Sequence, residues 1–265
     1  MAGDERTSYR IPAEPDQVAQ EDERLAHLTH KNDRGTVRLL ERIGVTEGWR
    51  CLELGAGTGS IALWLCERVG SEGSVVSIDV DTRFHCELPG NGEVRELDAT
   101  CEAFGEAEYD LVHARAFLEH LHQREEVLDR MVTALRPGGW MLVEDGDWSL
   151  YLRQEIPEPF RTLSVGALER SVKRNGWDPV CGSWLLPALK HRGLLDASAR
   201  GQVATMHGGT PSAEWYVAGL ARAKDDLVAD GVIDADGFDA AIAQARTPDF
   251  AVLSSVGVAA WGRKP

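Results

Sequence analysis

The chain has 265 residues, a hydrophobic share of 43% and a formal net charge of −15 at pH 7. This composition is typical of a globular protein with a large core, and the negative charge argues against a nucleic-acid partner because no Lys/Arg cluster offsets it. No apolar stretch reaches the roughly 20 residues that span a bilayer and the N-terminus lacks a signal-peptide pattern, so we expect a cytoplasmic protein without a membrane partner.

The first half of the chain has the periodicity of alternating helices and strands. Apolar spacing over residues 16–43 predicts one or two amphipathic helices that end near Gly44. The strands predicted after them are Arg50–Leu54, Ser74–Asp79, 93–97, 109–114 and 140–144, with helices at Ser60–Val69 and 125–135. Such alternation predicts an α/β fold with a doubly wound, mostly parallel sheet.

The pattern changes after the fifth predicted strand, where Trp148, Tyr151 and Trp177 fall in helical or irregular segments. We expect residues 146–192 to form a helical insertion over the mouth of a pocket. The remaining predicted elements are a strand at 195–205, helices at 212–229 and 236–246, and a closing antiparallel strand at 250–260. The chain would then divide into an N-terminal helical lid, residues 1–44, and a core, residues 45–265.

A glycine-rich turn follows the first strand: residues 51–60 read CLELGAGTGS. A strand-to-helix turn without side chains brings backbone N–H groups and a helix N-terminus close to a ligand. A P-loop is poorly supported, because Ser60 and Ile61 follow the last glycine where that motif needs lysine. A dinucleotide site stays an alternative, although Ser60 occupies its third glycine position. The remaining class of ligand is S-adenosylmethionine.

Further motifs follow the glycine turn in a characteristic order and spacing. They are residues 53–59 (ELGAGTG), Asp79 at the tip of the second strand, residues 98–99 at the tip of the third, 109–112 (YDLV) in the fourth, and 135–139 (LRPGG) before the fifth. Over residues 35–145 the chain therefore resembles the class I S-adenosylmethionine-dependent methyltransferases. This resemblance implies a Rossmann-like fold with an antiparallel last strand and S-adenosyl-L-methionine as the cofactor.

The resemblance also implies roles for individual residues. Glu53 would place the cofactor's ammonium group, Asp79 would accept hydrogen bonds from both ribose hydroxyls, and Asp98 with Ala99 would meet the adenine. Arg115 could pair with a carboxylate of the cofactor or substrate, or form an ion pair with Asp110 or Glu119. The full set of expected cofactor-binding residues is Tyr9, Glu53, Gly55, Ala56, Gly57, Asp79, Val80, Asp98, Ala99, Ala114 and Arg115.

Other stretches narrow the resemblance to enzymes that act on small molecules. Residues 115–121 (RAFLEHL) and 144–148 (EDGDW) are similar to those of the ubiquinone/menaquinone biosynthetic methyltransferases and of natural-product tailoring enzymes. In such relatives an N-terminal segment often folds over the cofactor. The resemblance thus implies a lid that includes Tyr9 and the first helix.

Candidate catalytic residues lie near the ends of the fourth and fifth strands. Methyl transfer needs an aligned nucleophile, and a base is needed only for an acceptor that is a weak nucleophile. His120 and His113 flank the tip of the fourth strand and could act as a base or contact the substrate, whereas capping and packing are the structural alternatives. Asp145, in an acidic cluster with Glu144 and Asp147, could position substrate or act as a base with a raised pKa, whereas solvated loop acids are the structural alternative. We expect no metal, because Arg115 stands where a magnesium site would need an acid.

These observations predict methyl transfer to the O, N or C atom of a small molecule, with a role in secondary metabolism and a possible homodimer. Two alternatives stay open at this point. One is an NAD(P)- or flavin-dependent oxidoreductase that uses the same glycines and Asp79. The other is a non-catalytic protein that retains the cofactor pocket.

Overall fold

The computed structural model describes residues 14–265 of the chain. Its strands are β1 (Arg50–Leu54), β2 (Ser74–Asp79), β3 (Gly92–Glu96), β4 (Tyr109–Arg115), β5 (Leu135–Asp147), β6 (Leu195–Gln202), β7 (Thr205–His207), β8 (Ala251–Leu253) and β9 (Val256–Arg263). Seven of them form one sheet in the order β3-β2-β1-β4-β5-β9-β6, and β7 pairs with β8 separately. Only β9 runs antiparallel to its neighbours in the large sheet. The predicted Rossmann-like sheet is therefore confirmed.

Helices cover both faces of this sheet. They are α1 (Pro15–Ile43), α2 (Ser60–Val69), α3 (Arg124–Ala134), α4 (Ser149–Arg153), α5 (Phe160–Asn175), α6 (Cys181–His191), α7 (Pro211–Arg222), α8 (Lys224–Ala229) and α9 (Ala235–Ala245). On one face, α1 and α2 pack against alternate residues of β4 and β5 such as Leu111 and Leu142. On the other face, α3 and α6 pack against Val112 and Met141. Burial on both faces explains why the centres of these strands, residues 111–112 and 140–143, are apolar.

The first helix is a single long element. Pro15 occupies its first turn, where the absent N–H costs nothing, and Gly44 ends it with a φ of +95°. Its C-terminal half contributes the buried residues Leu39 and Leu40 to the core. Among the helices of residues 14–265, none has the length and hydropathy needed to cross a bilayer.

A second hydrophobic cluster lies outside the sheet. Elements α4 and α5 pack there with α7, α8, α9 and the small β7–β8 sheet, around buried aromatic residues. Those aromatics are Tyr151, Phe160, Phe238 and Phe250. The predicted insertion, residues 146–192, is thus divided: α4 and α5 join the second cluster, whereas α6 packs against β5 and β9. Its position over a substrate pocket stays a prediction.

The single closing strand predicted at 250–260 is wrong. Two strands occupy this region, and they belong to different sheets. Ser254 separates them: its N–H donates to the carbonyl of Ala204 at 2.8 Å, and its hydroxyl accepts from the Ala204 N–H at 3.2 Å. Serine side chains compete for backbone groups in this way and so interrupt extended structure. Similarly, the strand predicted at 195–205 ends at Gln202, and the helix predicted at 212–229 is divided into α7 and α8.

Candidate functional site

The glycine turn after β1 has the backbone conformation that its sequence predicts. Gly55, Gly57 and Gly59 have φ values of +66°, +55° and +72°. A Cβ on Gly55 would lie 2.6 Å from Cδ2 of Phe117, and a Cβ on Gly59 would clash with the imidazole of His85. Other residues are therefore excluded by both the backbone conformation and the space available. The turn presents bare main chain at the carboxyl end of β1, which is where ligands bind in open α/β sheets.

Asp79 organises the turn from the end of β2. Its Oδ2 accepts a hydrogen bond from the Gly57 N–H at 2.8 Å, and its Oδ1 accepts one from the Asp81 N–H at 3.0 Å. Burial raises the pKa of this carboxyl group, and the backbone donors oppose that rise. Val80 follows and is exposed. Each carboxylate oxygen has a further lone pair, so the group can also accept from vicinal hydroxyls.

The expected adenine residues stand next to this carboxylate. The Leu97 N–H donates to the Asp79 carbonyl at 2.9 Å, which places the turn after β3 beside the end of β2. Asp98 Oδ1 accepts from the N–H of Thr100 at 2.8 Å and from its hydroxyl at 2.6 Å. Ala99 is buried. The structure thus brings Asp98 and Ala99 to the same edge of the sheet as Asp79.

A buried row of three ionisable side chains crosses the sheet beneath the turn. His113 Nδ1 lies 3.5 Å from Oε1 of Glu53 on β1, and its Nε2 lies 3.3 Å from Oε1 of Glu144 on β5. Burial alone would lower the pKa of His113, but the two carboxylates raise it; His113 in turn lowers the pKa of Glu144. Because the His113 side chain is fully buried, this geometry favours a structural role over contact with an acceptor.

Arg115 links this row to α1. Its Nη1 donates to the Thr36 hydroxyl at 2.9 Å and its Nη2 to Asp33 Oδ1 at 2.8 Å, while the Thr36 hydroxyl donates to Glu144 Oε1 at 2.7 Å. The predicted ion pair of Arg115 with Asp110 or Glu119 is therefore wrong. Asp110 pairs instead with Arg136 and accepts from a backbone N–H. Asp33 and Thr36 lie one turn apart on the amphipathic helix α1, and this spacing is the sequence pattern that could have indicated their contact with Arg115.

Ala114 lies between these residues on β4 but faces the opposite side of the sheet. Its side chain is buried in the core cluster with Val112 and Val143. Successive residues of a strand alternate between faces, so Ala114 cannot share the environment of His113 and Arg115. Only its backbone could meet a cofactor.

The N-terminal half of α1 covers the glycine turn. Thr29 and Thr58 share a hydrogen bond of 2.9 Å between their hydroxyls, and Leu25 Cδ2 lies 3.2 Å from the position of a Cβ on Gly57. Ala56 lies in the covered turn. The first helix thus lies where a lid would lie, although the lid function itself stays a prediction. Tyr9, the other predicted lid residue, lies outside the described residues.

Two acids, the buried Asp145 and the partly buried Glu119, lie near the carboxyl ends of β5 and β4. Asp145 Oδ1 accepts from the Phe117 N–H at 2.9 Å, and Glu119 Oε2 accepts from the Gly146 N–H at 3.1 Å. Burial raises the pKa of both carboxyl groups, and repulsion by Glu119 raises that of Asp145 further. Asp147, the third acid of the predicted cluster, instead accepts from the Ser149 N–H at the start of α4. Within residues 14–265, no group of His, Cys, Asp or Glu has the arrangement of a metal site.

His120 ends the short 3-10 turn that follows β4, beside these acids. Its Nε2 lies 3.6 Å from Oε1 of Glu119. Burial and the positive charge of Arg24 lower the pKa of His120 to about 4, so the imidazole is neutral at physiological pH. It can therefore accept a proton or a hydrogen bond there. Arg24, whose charge acts on His120, is not among the predicted site residues, because nothing local in the sequence connects it to His120.

An open sheet with this strand order, a glycine turn after β1 and an acid ending β2 defines a Rossmann-like nucleotide-binding protein of the methyltransferase type. Comparison with known proteins gives the family. The family described as "Methyltransferase domain" matches residues 21–199, and the chain belongs to it. The resemblance to S-adenosylmethionine-dependent methyltransferases is thus confirmed.

Individual relatives cover only part of the chain. Methyltransferase str2 of Strobilurus tenacellus is 30% identical over 142 residues, which are 53% of this chain and 51% of that protein. Methyltransferase GfsG of Streptomyces halstedii is 29% identical over 125 residues, 44% of this chain and 45% of that protein. The chain thus spans about half the length of these curated relatives.

A solved structure shares the fold. Phosphoethanolamine N-methyltransferase 2 of Haemonchus contortus, solved in complex with S-adenosyl-L-methionine, aligns with a TM-score of 0.56 and 17% identity, over 88% of this chain and 52% of that one. At this identity the likeness supports the fold and not the substrate.

Proposed function

We propose that the protein transfers the methyl group of S-adenosyl-L-methionine to a small molecule. The observation that carries the proposal is an unsatisfied oxygen: Oε2 of Glu53 is buried beside the glycine turn and has no hydrogen-bond partner among residues 14–265. A buried carboxylate oxygen without a donor is costly, and the ammonium group of the cofactor would supply one. The adjoining bare main chain and the acid that ends β2 fit the remainder of that ligand.

The proposed roles follow from position and charge. Glu53 would hold the ammonium group, the backbone at Gly55 and Gly57 would lie along the methionine portion, and Asp79 would accept from the ribose hydroxyls. When bound, the cofactor supplies an electrophilic methyl group, so the protein's task is to align the acceptor and to exclude water. We propose His120 as the residue that accepts the acceptor's proton, with Asp145 holding the Phe117 backbone that borders the site.

The family membership favours this cofactor over a dinucleotide, even though Asp79 would also suit the ribose of NAD. The atom that receives the methyl group stays open between O, N and C. A place in secondary metabolism, a cytoplasmic location and a homodimer are kept as proposals. A protein that binds the cofactor without transferring its methyl group is the remaining alternative, and only detection of a methylated product separates it.

Isothermal titration with S-adenosylhomocysteine and with NAD, on the wild type and on Asp79→Ala, tests the proposal. We expect the wild type to bind S-adenosylhomocysteine and not NAD. The substitution should weaken binding by about 1–3 kcal/mol, the usual value of a charged hydrogen bond. Asp129→Ala, which removes an exposed acid of α3, is the matched control and should leave the affinity unchanged. Tight binding of NAD alone, or an unaltered affinity in Asp79→Ala, would contradict the assignment.

A further inference from the structure

A set of aromatic side chains from distant parts of the chain meets beyond the carboxyl ends of β4 and β5. We call it the aromatic collar; its members are His27, Trp148, Trp177, Trp215 and Tyr216. Trp148 directly follows β5, and Trp177 donates a hydrogen bond to Glu119 just after β4. The collar therefore stands at the edge of the sheet where an acceptor must approach the cofactor.

Ring contacts and neighbouring positions on α7 connect the members of the collar. Trp148 lies edge-on to Trp177 at 5.9 Å between ring centroids, and it stacks with Tyr216 at 6.2 Å. The next residue along α7 from Tyr216 towards the N-terminus, Trp215, stacks on His27 at 4.5 Å and 9°. His27 lies one turn from Arg24 on α1, and the positive charge of Arg24 acts on Glu119. Trp177 also interacts with Glu119, to which it donates a hydrogen bond.

Trp215 carries a polar group that the described residues leave unexplained. The indole Nε1 of Trp215 is buried and donates to no acceptor in the described part of the chain. Buried N–H groups in native proteins nearly always have a partner, so a donor left unpaired beside a ligand site points to a ligand atom. The atom that satisfies an indole N–H is an acceptor, and oxygen is the commonest one.

The titratable groups around the collar disfavour charge of either sign. His120 is held neutral by burial and by Arg24. Glu119 and Asp145 both have raised pKa values because burial disfavours their ionised forms. An environment that penalises an imidazolium and carboxylates alike also penalises a charged ligand. It suits an uncharged molecule with a large apolar surface.

We propose that the aromatic collar is the acceptor site and that it takes an uncharged aromatic alcohol, whose ring lies among the collar side chains and whose oxygen accepts from Trp215 or lies against His120. This inference rests on the proposed function and adds the chemical class of its acceptor. Aromatic side chains prefer stacked and edge-to-face contact with other rings, so a planar ligand gains more here than a saturated one.

The reaction balances with groups already present. The acceptor oxygen forms a bond to the methyl carbon as the carbon–sulfur bond breaks, which leaves S-adenosylhomocysteine as a neutral thioether. The hydroxyl proton passes to the imidazole of His120 and from there to solvent. Although His120 is a weak base, an oxygen that is gaining a third bond becomes far more acidic than an imidazolium, so the transfer is favourable as the new bond forms.

The test measures binding of three probes to the complex with S-adenosylhomocysteine, by calorimetry. The probes are 2-naphthol, its saturated counterpart decahydro-2-naphthol, and phenyltrimethylammonium. We expect 2-naphthol to bind at least about tenfold more tightly than either of the others, because only it is aromatic, uncharged and oxygenated. Equal affinity for the two alcohols, or preference for the ammonium compound, would overturn the proposal.

The variant Trp215→Phe tests the indole N–H while keeping an aromatic ring. It should weaken 2-naphthol about fivefold to tenfold, the loss of one hydrogen bond, and leave binding of S-adenosylhomocysteine unchanged. Trp64→Phe, on α2 away from the collar, is the matched control and should change neither. If Trp215→Phe fails to fold, His27→Ala tests the same stack and should weaken 2-naphthol similarly. Unchanged 2-naphthol affinity in a folded collar variant contradicts the proposal.

The two proposals fail in distinguishable ways. A protein that binds S-adenosylhomocysteine but shows no preference for the aromatic alcohol has the proposed cofactor and another acceptor class. A protein that does not bind S-adenosylhomocysteine lacks the proposed function itself.

Discussion

At the scale of single residues, His113 illustrates how environment decides role. The sequence places it in a strand near the expected methyl group, which made it a candidate base. In the structure its two nitrogens face Glu53 and Glu144, and no part of its side chain is exposed. Placed between two buried carboxylates, the imidazole compensates their charge and holds three strands of the sheet in register.

His113 therefore predicts a pH dependence of stability. Because its folded pKa is raised above the unfolded value, the stabilisation is complete below about pH 6.5 and is lost as pH rises through the folded pKa. His113→Gln should lower the free energy of unfolding by about 3 kcal/mol at pH 6, the cost of breaking a buried ion pair, and by less at pH 9. Urea unfolding of both proteins at the two pH values measures this difference.

The control for this experiment is His191→Gln, which changes an exposed histidine at the end of α6. Its effect should be small at both pH values. A His113→Gln effect that stays constant or grows between pH 6 and pH 9 would show that the imidazole is not charged between the two glutamates.

At the scale of secondary-structure elements, α1 connects the surface of the glycine turn to the interior of the sheet. Its C-terminal half packs in the core through Leu39 and Leu40, while its N-terminal half contacts the turn through Leu25 and Thr29. Arg115 ties the middle of the helix to β4. A helix anchored at one end and in the middle can open at its other end without unfolding the domain.

Replacing Arg115 by Met should loosen this helix. The change removes two side-chain hydrogen bonds and leaves Asp33 without its ion pair, so local opening of α1 should become easier by about 1–3 kcal/mol. Hydrogen exchange of residues 15–43 would report faster exchange, and S-adenosylhomocysteine should bind several-fold more weakly. Arg95→Met, which breaks an exposed pair with Glu93 on β3, serves as the control. Unchanged exchange in α1 would mean that Arg115 does not anchor it.

At the scale of the whole molecule, the chain buries two kinds of core. One lies on the two faces of the large sheet, and the residues of the proposed cofactor site are attached to it. The other gathers α4, α5 and the segments after β6, and its Tyr151 packs edge-on against Trp148 and Tyr216 of the aromatic collar. The proposed cofactor and acceptor sites thus depend on different sets of packed side chains.

Phe160→Ala tests this separation. Phe160 is fully buried and lies edge-on to Phe250 at 4.8 Å between centroids, so its removal should cost about 3–5 kcal/mol of stability. Urea unfolding measures the loss, and calorimetry at low temperature should show S-adenosylhomocysteine binding close to that of the wild type. Val172→Ala, an exposed change on the same helix, is the control. A loss below about 1 kcal/mol would contradict the packing of this cluster.

The sequence by itself determined the sheet, the glycine turn and the acid that ends β2. These features rest on local patterns: β-branched runs form buried strands, and closely spaced glycines permit positive φ. Only the tertiary structure decided that Arg115 pairs with Asp33, 82 positions away, and that His27 stacks on Trp215. It also placed Ser254 where the last strand is interrupted. Such pairings depend on how distant helices pack across the sheet, and the local periodicity of the chain shows which face is buried but not which distant residue it meets.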